Sequence, residues 1–161
     1  MLSLIVAHDK NYAIGYQGWM PWNLKDDLKQ FKKRTLNHTI VMGLNTFKTL
    51  KKPLKDRHTI IVSHYPITDL LGDNVSFCHD FETFLIENCD TDEEIFICGG
   101  ASIYQQALPY CKKLYISLVD GEWPADTWIM DYNPDNYDIL TIEEYDGFKV
   151  IEYQKKVTLC D

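Results

Sequence analysis

The chain has 161 residues, enough for one domain on a single core, and its 45% hydrophobic and 25% charged residues are an ordinary globular balance. A net charge of −8 argues against general nucleic-acid binding, which needs a basic surface, but leaves room for a local basic site at Lys51, Lys52, Lys55 and Arg57. No apolar run reaches membrane-spanning length, Asp9 and Lys10 interrupt the apolar start as a secretion signal would not, and five cysteines without a CxxC pair read as free thiols in a reducing cytosol.

In chain order, LSLIVA (2–7) is a continuous apolar run and predicts a buried strand. Residues 8–23 form a long loop with Gly15, Gly18 and Pro21, the kind of segment that often serves as a lid. A helix follows at about 24–35, then a strand at 39–43 and a short helix near 44–50. HTIIVS (58–63) and VSFC (75–78) read as strands, and DFETFLIENC (80–89) as a helix capped by Asp80. EIFIC (94–98) is a strand broken by Gly99 and Gly100, SIYQQAL (102–108) a short helix stopped by Pro109, and KLYISLV (113–119) a strand. YDILTIEEY and FKVIEYQKKV alternate about Asp146-Gly147 as an antiparallel hairpin. About eight strands and four helices result, alternating through the middle, so an α/β domain spanning 1–161 with a mostly parallel sheet and an antiparallel ending is expected.

Asp27 stands out in this pattern. Leu24, Leu28, Phe31 and Thr35 have helical spacing, and Asp27 falls on their face, whereas Asp26 is turned about 100° away toward water. A buried carboxylate must find donors or raise its pKa. It is therefore either a structural acid bonded to nearby backbone or Arg57, or the floor of an apolar pocket walled by Leu28, Phe31 and Leu54. In the second case it would accept a two-pronged bond from an amidine-like edge or exchange a proton. Gly99-Gly100, between a strand and a helix, is either a tight turn or a place where backbone approaches a phosphate. Asn45 and Thr46 open a helix and are either simple caps or a second phosphate contact. The basic run 51–57 is a solvated loop or a carboxylate anchor with Arg57 as the two-pronged donor. In the aromatic loop at Trp19, Met20, Pro21 and Trp22, Trp22 is core or the wall of a site. Together these features describe a cleft for two ligands, one flat and hydrogen-bonding, the other a nucleotide. The scattered histidines and cysteines offer no metal-ligand spacing.

The patterns PWNLKxDLxxFKxxT at 21–35 and GGxxIY at 99–104 are specific in combination, and with IVMGLNTF, KLYISLVDGEWPADTW and the closing hairpin the chain resembles bacterial dihydrofolate reductases. The resemblance implies an eight-stranded, mostly parallel sheet with an antiparallel C-terminal strand and four flanking helices. It implies NADPH-dependent reduction of 7,8-dihydrofolate to tetrahydrofolate, with hydride passing to pterin C6 and a proton to N5. Implied partners are dihydrofolate and antifolates such as methotrexate and trimethoprim, bound by a cytoplasmic monomer without nucleic acid or membrane. Asp27, with Trp22 and Met20, carries over to the catalytic centre, and Ser117 to the hydroxyl bonded to that acid. Ile5, Leu28, Phe31, Leu54 and Cys98 match the pterin pocket, and Arg57, Lys32 and Lys52 the grip on the substrate carboxylate. Cofactor positions carry over at Ala7, Ile14, Gly15, Gly43, Asn45, Thr46 and Ser63. They continue at Gly99 and Gly100 (cis in the family), Ala101, Ile103, Tyr104 and Thr127. Residues 16–22, including Gly18, Trp19 and Met20, match a closing lid steadied by Asp126.

Departures gather at the cofactor's adenosine end. Leu44 and Ser102 stand where arginines are usual, and His79 where lysine occurs, which leaves Ser63, His64 and His79 to face the 2′-phosphate. Lys51 replaces a usual glycine, and Cys98 a larger apolar residue. A pyrimidine reductase of riboflavin synthesis shares the fold, but the Asp27 helix and Arg57 match the folate site. A non-catalytic pterin- or nucleotide-binding module is the remaining alternative.

Overall fold

In the computed structural model, which describes residues 1–50, 52–66 and 72–160, the apolar start of the chain forms β1 (Leu2–His8). After it come β2 (Ala13–Gly15), α1 (Lys25–Thr35), β3 (Thr39–Gly43) and α2 (Leu44–Lys48). β4 (His58–Val62), β5 (Val75–Cys78), α3 (Phe81–Asn88), β6 (Ile95–Ile97) and α4 (Ala101–Ala107) complete the alternating part. β7 (Cys111–Val119), β8 (Thr127–Trp128), β9 (Tyr137–Tyr145) and β10 (Phe148–Lys155) close the chain. Lys51 lies outside the described residues.

An eight-stranded sheet has the order β5-β4-β3-β6-β1-β7-β10-β9. Its pairs from β5 to β7 are parallel, while β10 runs antiparallel to β7 and to β9. This is the expected mixed α/β architecture with four helices. The chain runs outward from β3 to β5 and then returns to insert β6 between β3 and β1. Such a reversal opens a crevice at the carboxyl ends of the parallel strands.

The two-residue period of β1 divides the core. Leu2, Leu4 and Val6 join the apolar group that includes Phe81 and Leu85 of α3 and Ile103 and Tyr104 of α4. Ile5 faces the other way, with Ile40, Met42, Phe47 and Phe96, and Phe31 of α1 packs there. α1 and α2 therefore lie on the face that Ile5 shares. The edge strand β9 exposes Ile139, Leu140 and Ile142, and Glu143 and Glu144 beside them discourage pairing with another edge.

Two features depart from the sequence reading. β2 and β8 pair antiparallel, and at three and two residues they are too short to show a period. The five cysteines are not all free: Cys89 and Cys160 form a disulfide across 71 residues, leaving Cys78, Cys98 and Cys111 as thiols. The backbone of the tail is laid beside the turn that follows α4 by a bond from Leu159 N–H to the Pro109 carbonyl at 3.1 Å. Spacing could not announce this pair, because only the fold brings the two Cα atoms to 6.2 Å. Among the described residues no helix is long and apolar enough to cross a membrane.

Candidate active site

α1 carries acids in its first turn, Asp26 and Asp27, where the helix dipole favours negative charge. Its buried residues are Asp27, Gln30 and Thr35, and of the expected stripe Leu24 and Phe31 pack half-buried against the core. Leu28 is 44% exposed and lies at the cleft mouth, while Asp27 is 6% exposed. Ser117 of β7, paired in register with Ala7 of β1, donates from Oγ to Asp27 Oδ1 at 2.6 Å. Gln30 Nε2 donates to the same oxygen at 3.0 Å. The structural alternative of an Arg57 partner does not hold: Arg57 bonds the Lys55 carbonyl through Nε and Thr35 Oγ1 through Nη1. Burial pushes the Asp27 carboxyl above the usual carboxylate range, and the two hydrogen bonds pull against it.

Asp27 forms part of the floor of a cleft of about 310 Å³, a small-molecule size. Ile5, Leu28, Phe31, Leu54, Cys98 and Ser117 line it as expected, joined by Gln30, Val6, Met42, Thr49 and Leu50. On the other side come Ala7, Ile14, Gly15, Gly18, Trp19, Met20, Thr46, Gly99, Gly100, Tyr104 and Thr127. The cleft thus unites most residues expected for both ligands. Burial drives the Cys98 thiol up to about 12, so it acts as a small apolar wall.

Gly99-Gly100 is a cis peptide, and Gly99 has φ +112, a conformation L side chains rarely adopt. A Cβ at Gly99 would meet the Tyr104 ring and hydroxyl at 3.2–3.3 Å. Tyr104 cannot easily yield, because its buried hydroxyl donates to the Ile5 carbonyl at 2.8 Å. Gly99's carbonyl accepts from Gly43 N–H at 2.9 Å, tying the turn to β3. At Gly100 the same added atom would meet only Thr46 Oγ1, at 3.4 Å, so this backbone faces the open cleft.

The 16–20 segment is held from the β7–β8 loop. Asp126 N–H donates to the Gly15 carbonyl at 3.0 Å, and its Oδ2 accepts Gln17 N–H at 2.9 Å. That backbone N–H holds the Asp126 carboxyl below its usual range. Asp9, wholly buried, accepts from Asn11 and Ala13 N–H and, across the chain, from Trp123 N–H at 3.0 Å. Trp22 packs edge-on against Trp123 at 6.0 Å and joins Val119, Phe148 and Val150, with Met20 alongside. It is core and yet retains a buried indole N–H without a partner among the described residues.

Other expected residues lie outside this cleft. Lys32 and Lys52 are exposed, Arg57 is buried, and Gly43, Leu44 and Asn45 line neither this cleft nor the second cavity described below. Leu44 packs instead on the apolar group around Phe47. Ala101 is half-buried at the start of α4. Ser63, His64, His79, Ser102 and Ile103 gather in a second cavity of about 330 Å³, joined by Asp80 and Glu82. No lysine or arginine lines it among the described residues. The Ser63 hydroxyl is engaged by the Tyr65 backbone, and the Ser102 hydroxyl by Gln106 Nε2. As site residues, Gln30, Asp9 and Glu82 escaped the sequence reading, and Asp80 was read there as a helix cap alone. Gln30 left a signal in its i+3 spacing from Asp27.

Comparison with known proteins agrees with this geometry. A family model described as dihydrofolate reductase matches residues 1–158. The dihydrofolate reductase of Bacillus subtilis (strain 168) is 33% identical over 165 residues, covering 97% of this chain and 95% of that protein. Dihydrofolate reductase type 3 of Salmonella typhimurium is 36% identical over 132 residues, covering 82% of this chain and 80% of that one. Among solved structures, the dihydrofolate reductase of Enterococcus faecalis complexed with NADP(H) and RAB-propyl superposes with a TM-score of 0.85 at 27% identity, covering 98% and 97% of the two chains.

Proposed function

The chain belongs to the dihydrofolate reductase family, and on that premise we propose how its cleft carries out NADPH-dependent reduction of 7,8-dihydrofolate to 5,6,7,8-tetrahydrofolate. The observation that carries the reading is a buried, hydrogen-bonded acid on the floor of an apolar cleft that also contains the open Gly99-Gly100 backbone. Asp27 accepts the pterin's N3 and 2-amino protons, a pairing that charge strengthens. Ile5, Phe31, Leu54 and Cys98 sandwich the flat ring. Arg57, preset by Thr35 and Lys55, takes the substrate's carboxylate at the mouth, with Lys32 and Lys52 adding positive charge. The Trp22 indole N–H supplies a polar contact, direct or through water, where the pterin's far edge meets the lid.

The residues present fit the cofactor. Open space at Gly100 beside Thr46 lets a ligand lie against backbone, and Ala7, Ile14, Gly15 and Tyr104 wall the same end. Bound there, NADPH would supply the hydride for pterin C6, and N5 would take a proton. Gly18, Trp19 and Met20 cover the reacting faces and exclude water, with Asp126 holding that cover by Gln17 and Gly15. The product feeds one-carbon metabolism and thymidylate synthesis, which makes the cleft a target for antifolates. A cytoplasmic monomer is part of the same proposal, and the Cys89–Cys160 bridge is the feature that fits a reducing compartment least.

The test is loss of 340 nm absorbance on mixing the protein with NADPH and dihydrofolate. Turnover of about 1–10³ s⁻¹ is expected. Tight methotrexate binding without turnover would instead identify a non-catalytic module.

The second cavity bears on cofactor choice. If it takes the 2′-phosphate, as the family positions imply, His64 and His79 are its basic partners among the described residues, opposed by Asp80 and Glu82. The ratio of kcat/KM for NADPH to that for NADH should therefore fall in His64→Ala and in His79→Ala. A ratio unchanged in both variants would show that the histidines are not the phosphate's partners.

A further inference from the structure

Gln30 has no assigned part in the reaction, yet it is buried beside the one acid on the cleft floor. Asp27 accepts two hydrogen bonds from the described residues, from Ser117 and Gln30, and both fall on Oδ1. Oδ2 is the oxygen left for a ligand. A glutamine can present either its oxygen or its nitrogen, and the neighbours decide which. Here Arg34, one helical turn on, decides: its Nε–H, which can only donate, reaches Gln30 Oε1 at 2.7 Å. The amide nitrogen must then face Asp27 and Ser117, 3.0 and 3.2 Å away. Arg34 is fixed in turn. Its guanidinium lies over the Tyr115 ring, 4.8 Å from the centroid, and its Nη2 is 3.5 Å from the Glu143 carboxylate on β9.

We propose that Gln30 is a positioning residue for Asp27, holding the carboxylate charged with Oδ2 free for the ligand, and that Arg34, anchored on β7 and β9, locks the amide in the orientation that does so. The assignment rests on the reading of Asp27 as the pterin's partner. It places part of the control of that acid outside the cleft, on a strand at the sheet edge.

The other groups near Asp27 do not supply this effect. From β7 comes the neutral Ser117 hydroxyl. From α4 comes Tyr104, whose hydroxyl is spent on the Ile5 carbonyl. Cys98 follows β6 as a protonated thiol, and Asp126 reaches the cleft from the lid side, already engaged by Gln17 and Thr127. Arg34 touches Asp27 only through Gln30.

The experiment is a carbon-13 NMR titration of the Asp27 carboxyl in the ligand-free protein, run beside the pH profile of kcat/KM. A hydrogen bond to the charged form favours that form. Gln30→Leu should therefore make Asp27 about ten-fold weaker as an acid. Gln30→Glu should weaken it further, because a like charge replaces the donor. Arg34→Met should have a smaller effect in the same direction, since the freed amide can turn away, and it keeps the test open should the Gln30 variants not fold. Each pH profile should move with its titration. A purely structural Gln30 would lower Tm and leave the Asp27 midpoint in place. Midpoints within two-fold of wild type in all folded variants would overturn the proposal. Because the titration needs no turnover, an unmoved Asp27 in an active enzyme defeats the positioning role alone. A moved Asp27 in a protein that does not oxidise NADPH defeats the reductase reading alone.

Discussion

Asp27→Asn should lower kcat/KM for dihydrofolate at pH 7 by about 10²–10⁴-fold, the usual scale for a lost acid–base group, while leaving NADPH binding nearly unchanged. Asn keeps the shape and one acceptor oxygen for Ser117 and Gln30. It presents an N–H₂ where the pterin edge needs a second acceptor. The same variant should be more stable at neutral pH. Burial raises the Asp27 carboxyl's pKa, so the folded state holds its proton more tightly than the unfolded chain. The penalty for the charged form grows as pH rises through the unfolded-state value and is complete above the folded-state one. Thermal melts should therefore show a gain in Tm at pH 7 that vanishes by pH 3, where the acid is protonated in both states. Near-normal kcat in Asp27→Asn would refute the assigned role.

Gly99→Ala should cost both stability and cofactor affinity. The residue holds φ +112, and a side chain there costs about 1–3 kcal/mol in backbone strain. The new methyl also meets Tyr104 at 3.2–3.3 Å, and Tyr104 can move only by giving up its bond to the Ile5 carbonyl. Loss of about 3–10 °C in Tm follows from the strain, with NADPH Kd raised ten-fold or more because the Gly99-Gly100 backbone no longer lies flat beside Thr46. Gly18→Ala is the contrast. Its φ is +83, but an added Cβ meets nothing within 4 Å, so the cost is the local strain of about 1–2 kcal/mol. Equal losses of Tm in the two variants would show that the Tyr104 contact does not matter.

What could be read from the chain follows from what leaves a periodic trace. β1, the hairpin of β9 and β10 and the Asp80 cap over α3 each had an apolar run, an alternation or a cap in the sequence. Asp27 was visible because a charge interrupts an apolar face, and the structure buries it as that break implies. Of the stripe it interrupts, Thr35 is buried and Leu24 and Phe31 pack on the core, but Leu28 turns half to water and Gln30 is buried in its stead. Polar residues that satisfy one another inside a fold look like surface residues in a sequence. That is also why Asp9, which ties three backbone N–H groups, passed unnoticed. The Cys89–Cys160 bridge and the β2–β8 pair join segments far apart in the chain, and no local pattern encodes them.

The proposed reaction requires one cleft to set a nicotinamide face against pterin C6 while Asp27 holds the pterin's N3 and 2-amino edge. The most direct measurement is a single turnover with NADPH carrying two deuterium atoms at C4, followed by mass and proton NMR analysis of the folate product. One deuterium, bonded to C6, is expected, and its near-complete loss in Asp27→Asn on the same time scale. Dihydrofolate recovered unlabelled after NADPH has been consumed would contradict it.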